Sequence, residues 1–506
     1  MPVFVTSALS AASNTFNLTT SNDVVVTATG SIFATSGTAM TTVSTVPALL
    51  RVAIHGFVGG TSGINLASMG TGETRIFIGE TGVVLGTAGT AINGINGLTT
   101  LVNHGTIVGS FNGVNWNLPD AAASFSFVNH GDITGYGNHG VEANLTGRGT
   151  NYGTITGPQA VDIFRSDDPT SPVIFTNYGT LNGLGGIAID GDSGNPDIIG
   201  NFGSVNGNID LQDGNNVVNN HGTLNGDIQV QAGNDTVANS GAIFGNVNLN
   251  LGTDRYEGLG AGFVSGTVLG GDGDDTLAGG ETADRLNGGN DNDLIIGRGG
   301  DDVLTGEAGN DVILGGAGND SMIGGADNDT MNGQDGDDTL LGDTGNDAMT
   351  GGAGADEMRG GADNDTMNGQ DGEDLLEGDA GNDILRGGND DDALAGGLGF
   401  DLLTGGQGAD SFVFRALTET VAGASRDQIL DFQQGQDIIV VAGLSPGVFE
   451  FRGTAAFAPS GNPELRLFET ATGSTIVQFD ADGNGSIDAE IRVAGVTGLT
   501  ADDFVL

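Results

Sequence analysis

Sixteen nine-residue units follow one another without an insertion from Gly270 to Val413, and the sixth residue of every unit is aspartate. The first reads GGDGDDTLA (270–278), the sixth GGAGNDSMI (315–323) and the last GGQGADSFV (405–413). The aspartate column is Asp275, Asp284, Asp293, Asp302, Asp311, Asp320, Asp329, Asp338, Asp347, Asp356, Asp365, Asp374, Asp383, Asp392, Asp401 and Asp410. The eighth residue is apolar throughout, from Leu277 to Phe412. An acidic linker has no reason to keep an apolar residue at every ninth place. The two columns instead specify a stack of short turns, each sending one side chain inward.

The chemistry of the turn can be rebuilt from its spacing. Glycine at the first, second and fourth places allows positive φ and a tight bend that turns backbone carbonyls toward one point, where the sixth-place carboxylate adds a charged oxygen. Oxygen-only ligands select a hard cation. Calcium accepts six to eight oxygens in irregular geometry, whereas magnesium demands a near-ideal octahedron and keeps its waters. The seventh to ninth residues are expected to form a short strand whose eighth side chain joins a core. Met322, Met331, Met349, Met358 and Met367 stand in that inward column and read as core.

This pattern resembles the GGxGxDxUx nonapeptide of the RTX (repeats-in-toxin) proteins. The resemblance implies a parallel β-roll in which two nonapeptides make one 18-residue coil, with calcium between successive turns. Some units depart from it. Aspartate replaces the fourth-place glycine at Asp291, Asp327, Asp363 and Asp390, and the second glycine gives way to Arg298, Glu307, Gln334, Asp343, Gln370 and Asp379. Weaker binding is expected at those turns.

Charge points the same way. The chain has 65 acidic residues against 14 basic ones, for a net charge of −51, and every basic residue is arginine. From 270 to 413 there are 34 acids and four arginines, a local net of −30. Such a surface repels nucleic acid and anionic membranes, and repels itself unless divalent cations neutralise it. With 506 residues there is room for two or three domains. The absence of cysteine excludes disulfides and thiol catalysis. No stretch approaches the roughly 18 apolar residues of a membrane span, and the opening MPVFVTSALS lacks the basic and apolar regions of a secretory signal peptide.

A looser motif, Asn-x-Gly-x-(Ile/Leu/Val)-x-Gly, fills the N-terminal half. It reads NHGTIVG (103–109), NHGDITG (129–135), NYGTITG (151–157), NYGTLNG (177–183), NFGSVNG (201–207), NHGTLNG (220–226) and NSGAIFG (239–245). Successive starts are separated by the length of one coil of a parallel β-helix, with variable insertions at a loop. Asn and Gly suit the corner, the branched residue is the inward strand position, and stacked asparagines can hydrogen-bond along the axis. The stretches 211–219, 230–238 and 249–257 carry the nonapeptide without its first glycines, with Asn216, Asp235 and Asp254 at the sixth place. A continuous helix running into the roll is therefore expected. Residues 1–50 are read as polar capping strands.

The segment after Val413, with DQILDFQQGQDIIVVAGL (427–444) and DADGNGSIDAEIRVAG (480–495), resembles the C-terminal region of serralysin-type and other RTX exoproteins. That likeness implies type I export, and Asp503-Phe504-Val505-Leu506 resembles the family's terminal signal. Asp480, Asp482, Asn484, Ser486 and Asp488 fall at places 1, 3, 5, 7 and 9 of an EF-hand-like loop, with Gly485 at the sixth place. Ile491 takes the twelfth place, where a bidentate Glu belongs, so the segment reads equally as a hairpin turn.

No catalytic constellation stands out. There is no HExxH and no GxSxG, and His104, His130 and His221 merely fill the variable place of the Asn-x-Gly motif. Gly191-Asp192-Ser193-Gly194 reads as a glycine-rich turn rather than a serine-protease nucleophile segment. Asp162, Arg165, Asp167 and Asp168 form a local cluster that a polysaccharide lyase or mannuronan-epimerase-like enzyme could use, or a loop between coils.

The expected architecture is all-β: a parallel β-helix over 1–260, a calcium-binding roll over 261–413 and a small β domain over 414–506. The expected role is that of a secreted calcium-binding structural, adhesive or surface-layer protein. Its expected partners are calcium, the type I secretion machinery and a cell-surface or matrix polysaccharide, with no nucleic acid and no membrane span.

Overall fold

The structure is a computed structural model. It describes residues 3–5, 8–11, 16–18, 24–34, 38–42, 49–66, 73–94, 98–116, 124–144, 148–164, 172–191, 194, 196–441, 444 and 448–506. The chain forms two compact units, Met1–Gly271 and Asp272–Leu506. Both are parallel β-solenoids, and among the described residues the one helical element is the 3-10 turn Ala501–Asp503.

In the first unit each coil lays its strands in parallel register on the coil before it. Leu98–Asn103 pairs with Ser124–Asn129 so that Asn103 faces Asn129, and the motif asparagines then follow in register through Asn151, Asn177, Asn201, Asn220 and Asn239. Their side chains are buried, and each Nδ2 donates to the next Oδ1 at 2.7 to 2.9 Å. Burying an amide is favourable only with such partners. The ladder expected from the sequence is present.

Inward positions form the core, with Leu101, Ile107, Phe127, Ile133, Phe175 and Leu181 all closed to solvent. At the corner, the variable residue of each of the first six motifs stacks on its neighbour: His104 on His130 at 4.5 Å, His130 on Tyr152 at 4.8 Å, then Tyr178, Phe202 and His221. The histidines of the motif are therefore rungs of an aromatic edge.

Residues 1–50 correct one expectation. Their described strands are not a separate cap: Val3–Val5 pairs in parallel with Val24–Val26, which pairs with Leu50–Ile54, and Ala8–Ala11 and Ser31–Ala34 follow the same pattern. They are further coils. One wall position returns at Val3, Val24 and Val52, in unequal steps that hid the period.

Over its nonapeptides the second unit repeats an 18-residue coil in register, as Ile295↔Ile313↔Met331↔Met349↔Met367↔Leu385↔Leu403 shows on one side. The inward column, including Met322, Met331, Met349, Met358 and Met367, is buried. The strands are longer than expected from the seventh to ninth places alone. Leu294–Gly299 and its equivalents run on through the first three places of the following unit. Those places stay extended because their backbone also pairs with the next coil, Arg298 with Gly316 for example.

Parallel pairing also outlasts the nonapeptides. Gln428–Ile429 pairs with Leu402–Leu403 and Ile438–Val440 with Ser411–Val413, before the antiparallel strands Glu464–Glu469, Thr475–Asp480 and Ala489–Val493.

Candidate metal centre

The sixth-place aspartates stand in two buried files, one on each side of the roll. Each donates its backbone N–H to Oδ1 of the aspartate one coil on: Asp293 to Asp311 at 2.7 Å, Asp320 to Asp338 at 2.8 Å, Asp347 to Asp365 at 2.8 Å. The pattern holds from Asp275 to Asp410, and every one of these side chains is buried.

One oxygen per carboxylate is thereby used. The second, Oδ2, is buried without a hydrogen-bond partner in every sixth-place aspartate from Asp293 to Asp410. An ionised oxygen cannot stay so in a low-dielectric interior, because its desolvation is uncompensated. The first-place glycine makes room for it. A β-carbon on Gly297 would collide with Oδ2 of Asp302, and one on Gly315 with Oδ2 of Asp320. The carbonyl oxygens of Gly315 and Gly333, one coil on, lie 2.5 and 2.7 Å from those same β-carbon positions. Carboxylate and carbonyl oxygens thus converge at first-place glycines such as Gly297, Gly306, Gly315, Gly333 and Gly342, a donor set of oxygen only, which suits calcium.

Electrostatics says the same. Burial, with the neighbouring file members adding repulsion, pushes Asp293, Asp302, Asp329, Asp356, Asp365 and Asp392 up to about 7 and Asp383 to about 8. These seven buried carboxyls stand well above the ordinary carboxylate range.

The second and fourth places take positive φ even where glycine is missing. Arg298, Glu307, Gln334, Asp343, Gln370 and Asp379, with Asp291, Asp327, Asp363 and Asp390, lie at φ between 69° and 85°. The substituted turns keep the backbone of the glycine turns. Each of these residues is followed one coil on by a glycine, whose β-carbon would strike the carbonyl oxygen of the residue beneath, as at Gly316 over Arg298 and Gly352 over Gln334.

One turn does differ. In GGETAD (279–284) Thr282 holds the fourth place, and the backbone N–H of Gly280 donates to Oδ2 of Asp284 at 2.7 Å. Its Oδ2 is thereby partnered within its own turn, unlike Oδ2 of the sixth-place aspartates from Asp293 onward.

The files extend beyond the residues singled out from the sequence. Asp401 donates to Oδ1 of Asp427 at 2.9 Å and Asp410 to Oδ1 of Asp437 at 3.1 Å. Burial, then the charge of Asp401, drives Asp427 up to about 8, and its Oδ2 is buried without a partner. The signal was present as Asp427-Gln428-Ile429 and Asp437-Ile438-Ile439, an aspartate with an apolar residue two places on, but only one glycine of each turn is kept, Gly423 at the second place and Gly435 at the fourth. In the first unit Asp197, Asn216, Asp235 and Asp254 form a similar file, each backbone N–H reaching the next Oδ1.

In the C-terminal loop Asp480, Asp482 and Asp488 bring carboxylate oxygens within 4.8 Å of one another. Asp480 accepts from the backbone of Asn484 at 3.1 Å and of Gly485 at 2.7 Å, while the Asn484 amide turns to Asp482 at 2.8 Å. The loop joins antiparallel strands, so it is a hairpin, and Ile491 is core rather than ligand. Arg165, Asp167 and Asp168, and Asp192, Ser193 and Asn195 of the serine-containing turn, lie outside the described residues. Among the described residues no helix is long and apolar enough to cross a membrane.

Comparison with known families agrees with this geometry. The family model of the RTX calcium-binding nonapeptide repeat matches residues 269–304, 296–331, 332–367, 350–385, 368–403 and 386–415. Among solved structures, the chain is similar to the AlgE6R3 and AlgE6R2 subunits from the Azotobacter vinelandii mannuronan C5-epimerase. Identity is 30% and 27%, over 31% of this chain in both cases and over 80% and 90% of theirs, with a TM-score of 0.18 for each. No curated protein matches the sequence. With its oxygen-lined turns and its matched nonapeptides, this chain is an RTX hemolysin-type calcium-binding protein.

Proposed function

We propose that the chain is an exported bacterial structural or adhesive protein whose roll folds when it meets extracellular calcium. The observation that carries this reading is the pair of buried carboxylate files, with an unpartnered Oδ2 at each rung from Asp293 to Asp410. The sixth-place aspartates from Asp275 to Asp410 would hold the ions together with backbone carbonyls, and Asp480, Asp482, Asn484 and Asp488 would hold one more. Calcium binds the closed coil and not the extended chain, so it draws the folding equilibrium toward the side of a membrane where it is abundant. That coupling suits passage through a type I channel in an unfolded state.

The exposed turn acids Asp291, Glu307, Asp327, Asp343 and Asp363 leave a strongly negative outer edge. An acidic cell-surface or matrix polysaccharide bridged by shared calcium is the partner that fits such an edge. The test is a calcium titration of the full chain after EDTA, followed by far-ultraviolet circular dichroism. β-Structure should grow as calcium rises toward roughly 10⁻⁴ to 10⁻³ M, the range of extracellular modules. An unchanged β spectrum in excess EDTA would overturn the folding trigger. Failure of calcium to raise retention on immobilised alginate or pectate would overturn the bridged-polysaccharide reading.

A further inference from the structure

We propose that the first unit carries a second kind of metal site, for a zinc-class divalent ion, built on His139 and Asp162 and oriented by Glu142. It lies on one solenoid wall, where parallel register brings four residues from two coils together: His139 faces Gln159, and Glu142 faces Asp162. The same wall continues in register from Asn115 through Glu142, Asp162 and Asp190 to Asp210. Four carboxylates on consecutive coils form a row of like charge with one imidazole set into it.

The imidazole is held from both sides, and its side chain is only 8% exposed. Nε2 lies 3.3 Å from Oδ2 of Asp162 and 2.5 Å from Oε1 of Gln159, a hydrogen bond that an ion on Nε2 would replace. Two ligands of one tetrahedral ion at about 2.1 Å from the metal stand about 3.4 Å apart, so a nitrogen and a carboxylate at 3.3 Å already have that spacing. His139, Glu142 and Asp162 together offer ligand atoms within 4.8 Å of one another.

The supporting shell has the form that metal-binding histidines use, in which the far nitrogen donates to a carboxylate that is itself fixed. Nδ1 of His139 is 3.3 Å from Oε2 of Glu142, and that oxygen also accepts from Asn112 at 2.5 Å and Asn115 at 2.8 Å. Nδ2 of Asn138 stands 3.0 Å from the same Nδ1, so that nitrogen has a polar partner whichever tautomer the ring adopts. Nε2 of Gln159 donates to Asp190 at 2.6 Å, which fixes Oε1 of Gln159 toward the imidazole. A donor set that includes an imidazole selects a first-row transition ion over calcium, which takes oxygen ligands. The site is therefore chemically distinct from the turns of the roll.

The test uses the full chain, stripped with EDTA and saturated with calcium, then titrated with Zn²⁺ against a metallochromic chelator and, in parallel, with Co²⁺ followed by its visible absorption. The expected result is Zn²⁺ binding that excess calcium does not displace, with a Co²⁺ spectrum of a mixed nitrogen and oxygen site. His139→Gln should weaken Zn²⁺ binding at least tenfold while the calcium-dependent circular dichroism stays as in the parent. Glu142→Gln should weaken it by roughly 10- to 100-fold through the supporting shell. Equal Zn²⁺ uptake by the parent and His139→Gln would overturn the proposal, since His55, His104, His130 and His221 would then account for it. Should His139→Gln fail to fold, Asp162→Asn decides: parental affinity in that variant overturns the assignment.

Discussion

The backbone N–H of Asp365 donates to Oδ1 of Asp383 at 2.8 Å, and Oδ2 of Asp383 is left buried without a partner. Burial holds that carboxyl up at about 8 and Asp365 at about 7. A carboxyl raised in the folded state stabilises that state below its unfolded pKa, near 4, and loses the contribution as pH rises through the folded value. In EDTA, β-structure should therefore grow when pH falls from 8 to 5, as read by circular dichroism. With calcium present protons compete for the same oxygens, so the calcium midpoint should rise as pH falls from 8 to 6. A midpoint independent of pH would contradict the assignment of these carboxylates as ligands.

Asp338 accepts from the backbone of Asp320 and donates to Asp356, so it is one rung of one file. Asp338→Ala removes a charged ligand while its glycine turn survives. Calcium affinity should fall several-fold, and hydrogen exchange should rise in the coils next to residue 338 rather than along the whole roll, because solenoid coils couple to their neighbours.

Gly352 lies at φ 132° directly over Gln334, which lies at φ 82°. Gly352→Ala puts a β-carbon against the Gln334 carbonyl in a conformation that L side chains avoid, and should cost about 2 to 4 kcal/mol. Gln334→Gly relieves a left-handed side chain and should shift stability by no more than about 1 kcal/mol. Thermal unfolding of both variants in saturating calcium checks the contrast.

Asn151 links Asn129 to Asn177 in the buried ladder. Asn151→Ala strands a donor on one neighbour and an acceptor on the other, at a cost of about 2 to 4 kcal/mol. Asn151→Asp, which cannot donate when ionised, should not rescue it. Chemical denaturation of the two variants beside the parent gives both numbers.

The nonapeptide columns were legible because each place has one physical duty repeated sixteen times: Gly to admit a carboxylate, Asp to supply it, an apolar residue to fill the core. Asp427 and Asp437 were not, since they join their files after longer gaps and with one glycine left in each turn, Gly423 and Gly435. The constellation around His139 was equally hidden. His139 and Gln159 meet only because their coils are stacked in register, and no motif marks that spacing. The asparagine ladder could be read because one amide recurs in one local motif. The strand length in the roll could not, because it is set by pairing across coils and not by local propensity.

The alternation of glycine with other residues gives the roll a parity. Along one side Asp291, Gly309, Asp327, Gly345, Asp363 and Gly381 hold the fourth place, and along the other Arg298, Gly316, Gln334, Gly352, Gln370 and Gly388 hold the second. Excising a single coil, residues 342–359, would set Asp363 on Asp327 and Gln370 on Gln334, two collisions at once. Excising two coils, residues 342–377, would bring Gly381 over Asp327 and Gly388 over Gln334 and leave every neighbour compatible. Lengths of this array can therefore be gained or lost in even numbers of turns, and recombination between its repeats is silent only at every fourth unit.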